Sequence, residues 1–244
     1  MKPGTQWMID AFRGEERRPS VVIVLSTALV VSWWYLSHSL PAAVPPELSG
    51  WGEKWISRDL LADLWGGFRV LGLGALLLGL VPLIVVKAIF RERLRDYGVR
   101  LGDVKVLAFQ VSCMLPLFIL LGYWAAHRPD YQQAYPLNDR ARDCFGLHVA
   151  FQIAYYLGWE FHFRGFVLQG VRPRAGEHVA MWVETIASTL AHLGKPLSET
   201  LGALLGGFFW GAITLRSRSI LASFLQHWLL GLTLDITVCY WLGL

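Results

Sequence analysis

The chain has 244 residues, 55% of them apolar and 16% charged, with 12 Trp and 24 Gly. A soluble domain usually carries roughly a quarter charged residues, so this composition excludes one and points to a helical membrane protein, in which Trp gathers at interfaces and Gly enters helices. The formal charge of +4 comes without a basic stripe interleaved with aromatics, so no nucleic-acid partner is expected.

At the N-terminus, TQWMIDAFRGEERRPS sets Trp7, Met8 and Phe12 ahead of mixed charge, the pattern of a short helix lying on a bilayer surface. The first apolar run, 21–40, has no small-residue cleavage site before Pro41 and carries Trp33, Trp34 and Tyr35 toward its end. It reads as a retained span and not as a signal peptide. After a Pro-rich break, WGEKWISRDLLADLWGGF places Trp51, Trp55 and Leu61 among charges, as an interfacial amphipathic helix does.

Further spans are expected over 68–90, 106–126, 145–170, 177–193, 199–215 and 220–242, several of them close to the ~20 residues that crossing requires. Pro82 is tolerated in the second because neighbours satisfy the freed backbone. Arg172-Pro173-Arg174 is expected to end the fourth. The fold class is thus all-α, a polytopic bundle of about seven transmembrane helices with interfacial helices beside it. Loops on the side of the N-terminus would hold roughly twice the Lys and Arg of the opposite loops, which favours a cytoplasmic N-terminus and an outer C-terminus. Cys113, Cys144 and Cys239 lack CxxC spacing, and two lie in apolar segments, so they read as small core residues.

The fourth span contains YYLGWEFHFRGFVLQG, with Glu160 and Arg164 four apart and therefore neighbours on one helix face. An ionisable group at mid-membrane costs at least ~2.5–3.5 kcal/mol and persists beside a partner or a wetted cavity. A neutralised pair stapling two helices is one reading of these two residues. His162 lies roughly 200° around the helix from Glu160 and reads as a packing histidine. His192 ends the fifth span after Thr185, Ser188 and Thr189, and His227 lies within the seventh. One carboxylate and two imidazoles on separate helices form a set with usable acid–base chemistry if packing brings them together. Glu184 is a weak alternative base, and Glu199 reads as a first-turn acid of the sixth span.

The segments WEFHFRG, STLAHLGKPLSETLGALLGG and RSRSILASFLQHWLLG, with LRDYGVRLGDV before the third span, resemble the CPBP family of intramembrane proteases, the CAAX-protease and bacteriocin-processing group. The resemblance covers roughly residues 93–235. It divides the chain into 1–90, an interfacial helix with two leading spans, and 91–244, a catalytic core. Its first motif is two glutamates, three residues and an arginine; the second, a phenylalanine one turn ahead of a histidine; the last, a histidine with asparagine or a similar residue one turn later. Glu160, Arg164, His192 and His227 match, whereas Trp159, Ser188 and Gly231 stand at the first glutamate, the phenylalanine and the last polar residue. In the family the first glutamate commonly activates the water.

The resemblance implies an integral membrane endopeptidase of a prokaryotic inner membrane, acting on a membrane-anchored protein or peptide near a transmembrane or lipidated segment. Glu160 would be the general base for water, His192 would assist, and His227 would donate to the oxyanion. Arg164 would fix the Glu160 rotamer, and Asp235, two turns past His227, would partly replace the polar group missing at Gly231. A metal-free scheme is favoured over Zn²⁺ on Glu160, His192 and His227, because no HExxH pair is present. The alternative is an inactive family member, a scaffold or a bacteriocin-immunity protein. A polar cavity is expected among the fourth, fifth and seventh spans, opening in the outer half, with LGKP as irregular backbone along it.

Overall fold

The computed structural model describes residues 17–243, and every regular element among them is helical. The surface helix expected around Trp7 lies outside the described residues. In chain order come α1 (Arg17–Ser39), α2 (Pro46–Gly52), α3 (Arg58–Gly72) and α4 (Ala75–Ile89), the last two bent by 44° at their junction. Then follow α5 (Val104–Ala126), α6 (Pro129–Ala134), α7 (Phe145–Glu160), α8 (Leu168–Leu190), α9 (Leu197–Ser217) and α10 (Leu221–Ile236). A π-helical turn, Phe161–Val167, joins α7 to α8, and another carries α10 on to Trp241.

Three helices are long and apolar enough to cross a membrane: α1, α5 and α10 with its extension. The bent pair α3–α4 makes a fourth if it is one span. The chain is therefore a helical membrane protein, with fewer spans by this measure than the seven expected. The difference lies in α7 to α9, which hold Gln152, Glu160, Arg164, Glu184 and Thr214 inside the bundle. Inward polar residues lower the apolar content of a helix without exposing anything polar to lipid.

Side-chain chemistry accounts for several boundaries. Asp103 caps α5 by accepting from Lys105 N (2.9 Å) and Val106 N (3.2 Å), and Ser57 caps α3 through Leu60 N (3.2 Å). The break expected at Arg172-Pro173-Arg174 comes instead at Gly176, whose φ of 79° suits glycine alone. Trp51 and Trp55 are exposed, in keeping with an interfacial position. Cys113, expected in the core, is exposed on α5, whereas Cys239 is buried.

Two clusters of buried side chains knit the leading helices to the later ones. Val22, Val85 and Val86 pack with Phe161, Phe166 and Leu168. Leu29, Trp33, Leu71 and Leu78 pack with Tyr155, Tyr156, Trp159 and Phe163. In lipid such packing, more than removal from water, holds helices together, and small residues permit the closest approach. A Cβ built on Gly79 would stand 3.0 Å from Gly158 Cα, so α4 and α7 touch backbone to backbone there.

The charged connection ahead of α5 anchors the start of α10. Asp103 N donates to Ser217 O (2.8 Å), Ile220 N to Gly98 O (3.1 Å), and Arg100 Nε to Arg218 O (2.8 Å). Tyr97, buried in this connection, accepts from Arg18 Nη2 (2.7 Å) and donates to Glu92; burial pushes its hydroxyl pKa up. From that anchor α10 runs along α5, and α9 packs on α8.

Candidate active site

The π-helical turn begins at the residue after Glu160. Such turns put an extra residue into the helix and re-aim the side chains around it. Glu160 and Arg164 still meet, at 3.4 Å between Oε1 and Nη1. Both are buried, and Arg164 also lies 3.6 Å from Glu184 Oε2 through Nε, with its guanidinium 5.4 Å from the Trp210 ring centroid. His162 turns to the other side and shares a hydrogen bond with Ser26 Oγ (2.7 Å), the packing role expected of it.

Glu160 reaches across to α10. Its Oε1 accepts from His227 Nδ1 at 2.7 Å, so the Nδ1 proton is fixed and the other ring nitrogen is left for the opposite direction. The His227 ring is held between Trp210, stacked at 4.6 Å, and Tyr156, edge-on at 4.7 Å. Glu160 Oε2 is buried and accepts no hydrogen bond.

His192 follows the last residue of α8. Its Nδ1 lies 2.7 Å from Ser188 O, and a carbonyl can only accept, so Nδ1 carries a proton and Nε2 of the neutral ring is an acceptor. Ser188, at the phenylalanine position of the resembled motif, therefore orients this imidazole by its backbone. Thr200 Oγ1 donates to His192 O (2.9 Å) and steadies the turn. Trp159 lies edge-on to both imidazoles, its ring centroid 5.1 Å from that of His192 and 6.2 Å from that of His227.

A cavity of about 530 Å³ opens beside these rings. Its walls are mainly α5, α9 and α10, with Tyr156, Trp159 and Arg164 at its floor and His192 and His227 at its edge. The third and sixth expected spans, here α5 and α9, therefore wall the cavity as well, and the lining is mostly apolar where a polar one was expected. Leu117, Trp124 and Leu205 line the cavity and are also exposed on the bundle's outer surface, so it opens sideways between α5 and α9. Glu160 contributes no surface to it.

Asp235 is not brought to the site. It is buried between α7 and α10, where Oδ2 accepts from Gln152 Nε2 (2.6 Å) and pairs with His148 Nε2 (2.8 Å). The space over Gly231 that Asp235 was expected to serve is taken by the Tyr156 hydroxyl. Glu184 is enclosed as well, against Gly211 and Arg164, away from the cavity.

Glu199 is a first-turn acid of α9, as read, but it has a further place: it lines the cavity, accepts from Tyr135 Oη at 2.6 Å, and lies 4.0 Å from His192 Nε2. Lys195, in the turn between α8 and α9, rests its ammonium 4.4 Å from the Tyr135 ring centroid, and burial lowers its pKa. The KPxxE spacing was visible in the sequence, but nothing there showed that Tyr135, from the loop after α6, would turn the carboxylate inward.

Among the described residues no group of three or more His, Cys, Asp or Glu side chains converges so as to hold a metal ion. Glu160, His192 and His227 form no such group, so this donor set does not fit a zinc centre in this arrangement.

Residues 144–233 match the family model described as Rce1-like, the type II CAAX prenyl endopeptidase Rce1-like family. The matched segment takes in Glu160, Arg164, His192, Glu199, His227 and Gly231, and it bears out the resemblance drawn from the motifs. The family is one of proteases. No curated protein and no solved structure matches the chain.

Proposed function

We propose that this chain, CAAX-endopeptidase-like over its helices α7 to α10, is an intramembrane endopeptidase. It would cleave a membrane-anchored protein or peptide near a transmembrane or lipidated segment, a prenylated C-terminus being the first candidate. The observation that carries the reading is the 2.7 Å contact of Glu160 with His227 at the edge of a sideways-open apolar cavity. An apolar cavity with few polar groups at one end suits a ligand that is mostly chain and carries one reacting bond.

Glu160 was read as the general base for water. Because its carboxylate has no surface on the cavity, the geometry favours action through His227. The carboxylate accepts the Nδ1–H hydrogen bond, fixes the tautomer and balances the charge when the ring is protonated. His227 would then donate to the oxyanion, a contribution of about 2.7–4 kcal/mol for one donor in other enzymes. His192, with Nε2 free to accept, would hold the attacking water. Arg164 would offset the charge of Glu160 and Glu184 and keep Glu160 in place.

The reading takes α1, the bent pair α3–α4, α5, α7, α8, α9 and α10 as seven crossings of a prokaryotic inner membrane, with the N-terminus cytoplasmic and the C-terminus outside. Residues 91–244 would form the catalytic core and residues 1–90 its buttress. The second reading, a non-cleaving scaffold or bacteriocin-immunity protein, is favoured by Trp159, which stands where the resembled motif has its first glutamate. Purified protein in liposomes, offered prenylated and transmembrane peptides, separates the two. Cleavage that Glu160→Gln and His227→Ala abolish supports the enzyme; failure to cleave any of them supports the scaffold.

A further inference from the structure

A second cavity, of about 30 Å³, lies behind the large one and shares Tyr135, Tyr156, Trp159, His192, Glu199 and His227 with it. That is room for water, since about 10–15 Å³ of such space is enough to hold one molecule. The polar groups around it are unusually incomplete. His192 Nε2 is an acceptor because Nδ1 donates to Ser188 O, and it faces Glu199 Oε1, a second acceptor, at 4.0 Å. Two acceptors at that separation have no hydrogen bond between them and need a donor to join them. Glu199 Oε2 is buried and accepts nothing, and the Trp159 indole N–H is buried and has no acceptor.

A water meets that need: it gives one proton toward His192 Nε2 and the other toward Glu199 Oε1. We infer that Glu199 is the carboxylate that takes the proton of the attacking water, with His192 holding that water. The inference rests on the endopeptidase reading and deepens it: the acid lacking at Trp159 is supplied from the first turn of α9. In the step, an O–H bond of water breaks and its proton passes to Glu199. The water oxygen bonds to the peptide carbonyl carbon, and the carbonyl pair moves onto the oxygen that faces His227. Cleavage of the C–N bond then returns the proton from Glu199 to the departing amine. Tyr135 Oη, donating to Glu199, and Lys195, in the wall of the small cavity, set its orientation and charge.

The test is Glu199→Gln, whose amide oxygen still accepts from Tyr135, in liposomes with a membrane-anchored peptide that the wild type cleaves. Turnover is expected to fall by about a hundredfold or more with little change in KM, unfolding temperature is expected to stay close to wild type, and Glu199→Asp is expected to recover part of the rate. A Glu199→Gln protein within about threefold of wild type, beside an inactive Glu160→Gln, overturns the role of Glu199 and leaves the endopeptidase reading intact. A map that resolves ordered water decides the matter independently of any substrate. A water within hydrogen-bond distance of both His192 Nε2 and Glu199 is expected, whereas direct contact of the two side chains, or a dry cavity, overturns the inference.

Discussion

The hydroxyl of Tyr156 stands where a side chain on Gly231 would begin: a Cβ built there collides with Tyr156 Oη and crowds Cζ at 2.8 Å. The absence of a polar side chain one turn after His227 is therefore matched by a tyrosine on α7 that fills the same space and lines both cavities.

Gly231→Ala is expected to lower stability by about 1–3 kcal/mol, the cost of inserting a methyl into a packed site. Tyr156→Phe in the same chain removes the colliding oxygen and is expected to restore most of that loss. Thermal unfolding of the two single variants and the double variant in detergent reads the coupling. Additive effects, with no rescue, would show that the two positions do not share this space.

Glu160→Gln keeps the shape of the side chain and removes its charge. Arg164 then balances Glu184 alone, and His227 loses the carboxylate that supports its protonated form. Turnover is expected to fall by about a hundredfold or more, with a stability loss of about 1–3 kcal/mol from the weakened buried contacts. Single-turnover cleavage with calorimetry on the same sample checks both.

The first of these relationships could not be read from the sequence, whereas part of the second could. Glu160 and Arg164 are one turn apart on a single helix, so their contact follows from spacing, and it survives the π-helical turn. The pairing of Glu160 with His227 was legible only as a set of chemically compatible groups on different helices. Which oxygen meets which nitrogen depends on how α10 is anchored by Gly98, Asp103 and Ser217, well outside the motifs. Asp235 was misplaced for the same reason: eight residues beyond His227, its direction is set by His148 and Gln152 on α7. The place of Glu199 at the cavity was not legible because a carboxylate in a first helical turn has a sufficient local explanation, and its partner Tyr135 comes from a distant loop. The cavity walls on α5 and α9 carry no chemistry-bearing residue type that sequence could single out.

Asp235 provides a contrast with Glu199. Asp235→Ala leaves His148 Nε2 and Gln152 Nε2 without their acceptor, each buried, and is expected to destabilise the bundle by about 1–3 kcal/mol. Turnover at a temperature where the variant stays folded is expected to match wild type, since Asp235 lines neither cavity. A selective loss of turnover with unchanged stability would return Asp235 to the site.

Metal dependence can be checked directly. The donor geometry offers no three-residue cluster among the described residues, so a strong chelator, applied under conditions that strip tight zinc, is expected to leave the cleavage rate unchanged. Inactivation reversed by added Zn²⁺ would mean that His192 joins Glu160 and His227 on one ion.

The lateral opening leads to a prediction about substrate length. Gly202 lines the large cavity on α9, and a Cβ built there meets nothing within 4 Å. A large side chain at this position should therefore be accommodated without strain while narrowing the space between α5 and α9. Gly202→Phe is expected to fold as wild type does and to raise KM for a long lipidated peptide by about tenfold or more, with a smaller effect on kcat, because the side chain narrows the space between α5 and α9. A short-chain analogue that does not reach Gly202 should be cleaved with its KM nearly unchanged. If both substrates lose kcat equally, the substitution has disturbed the reacting end, and the sideways entry of the chain past α9 is wrong.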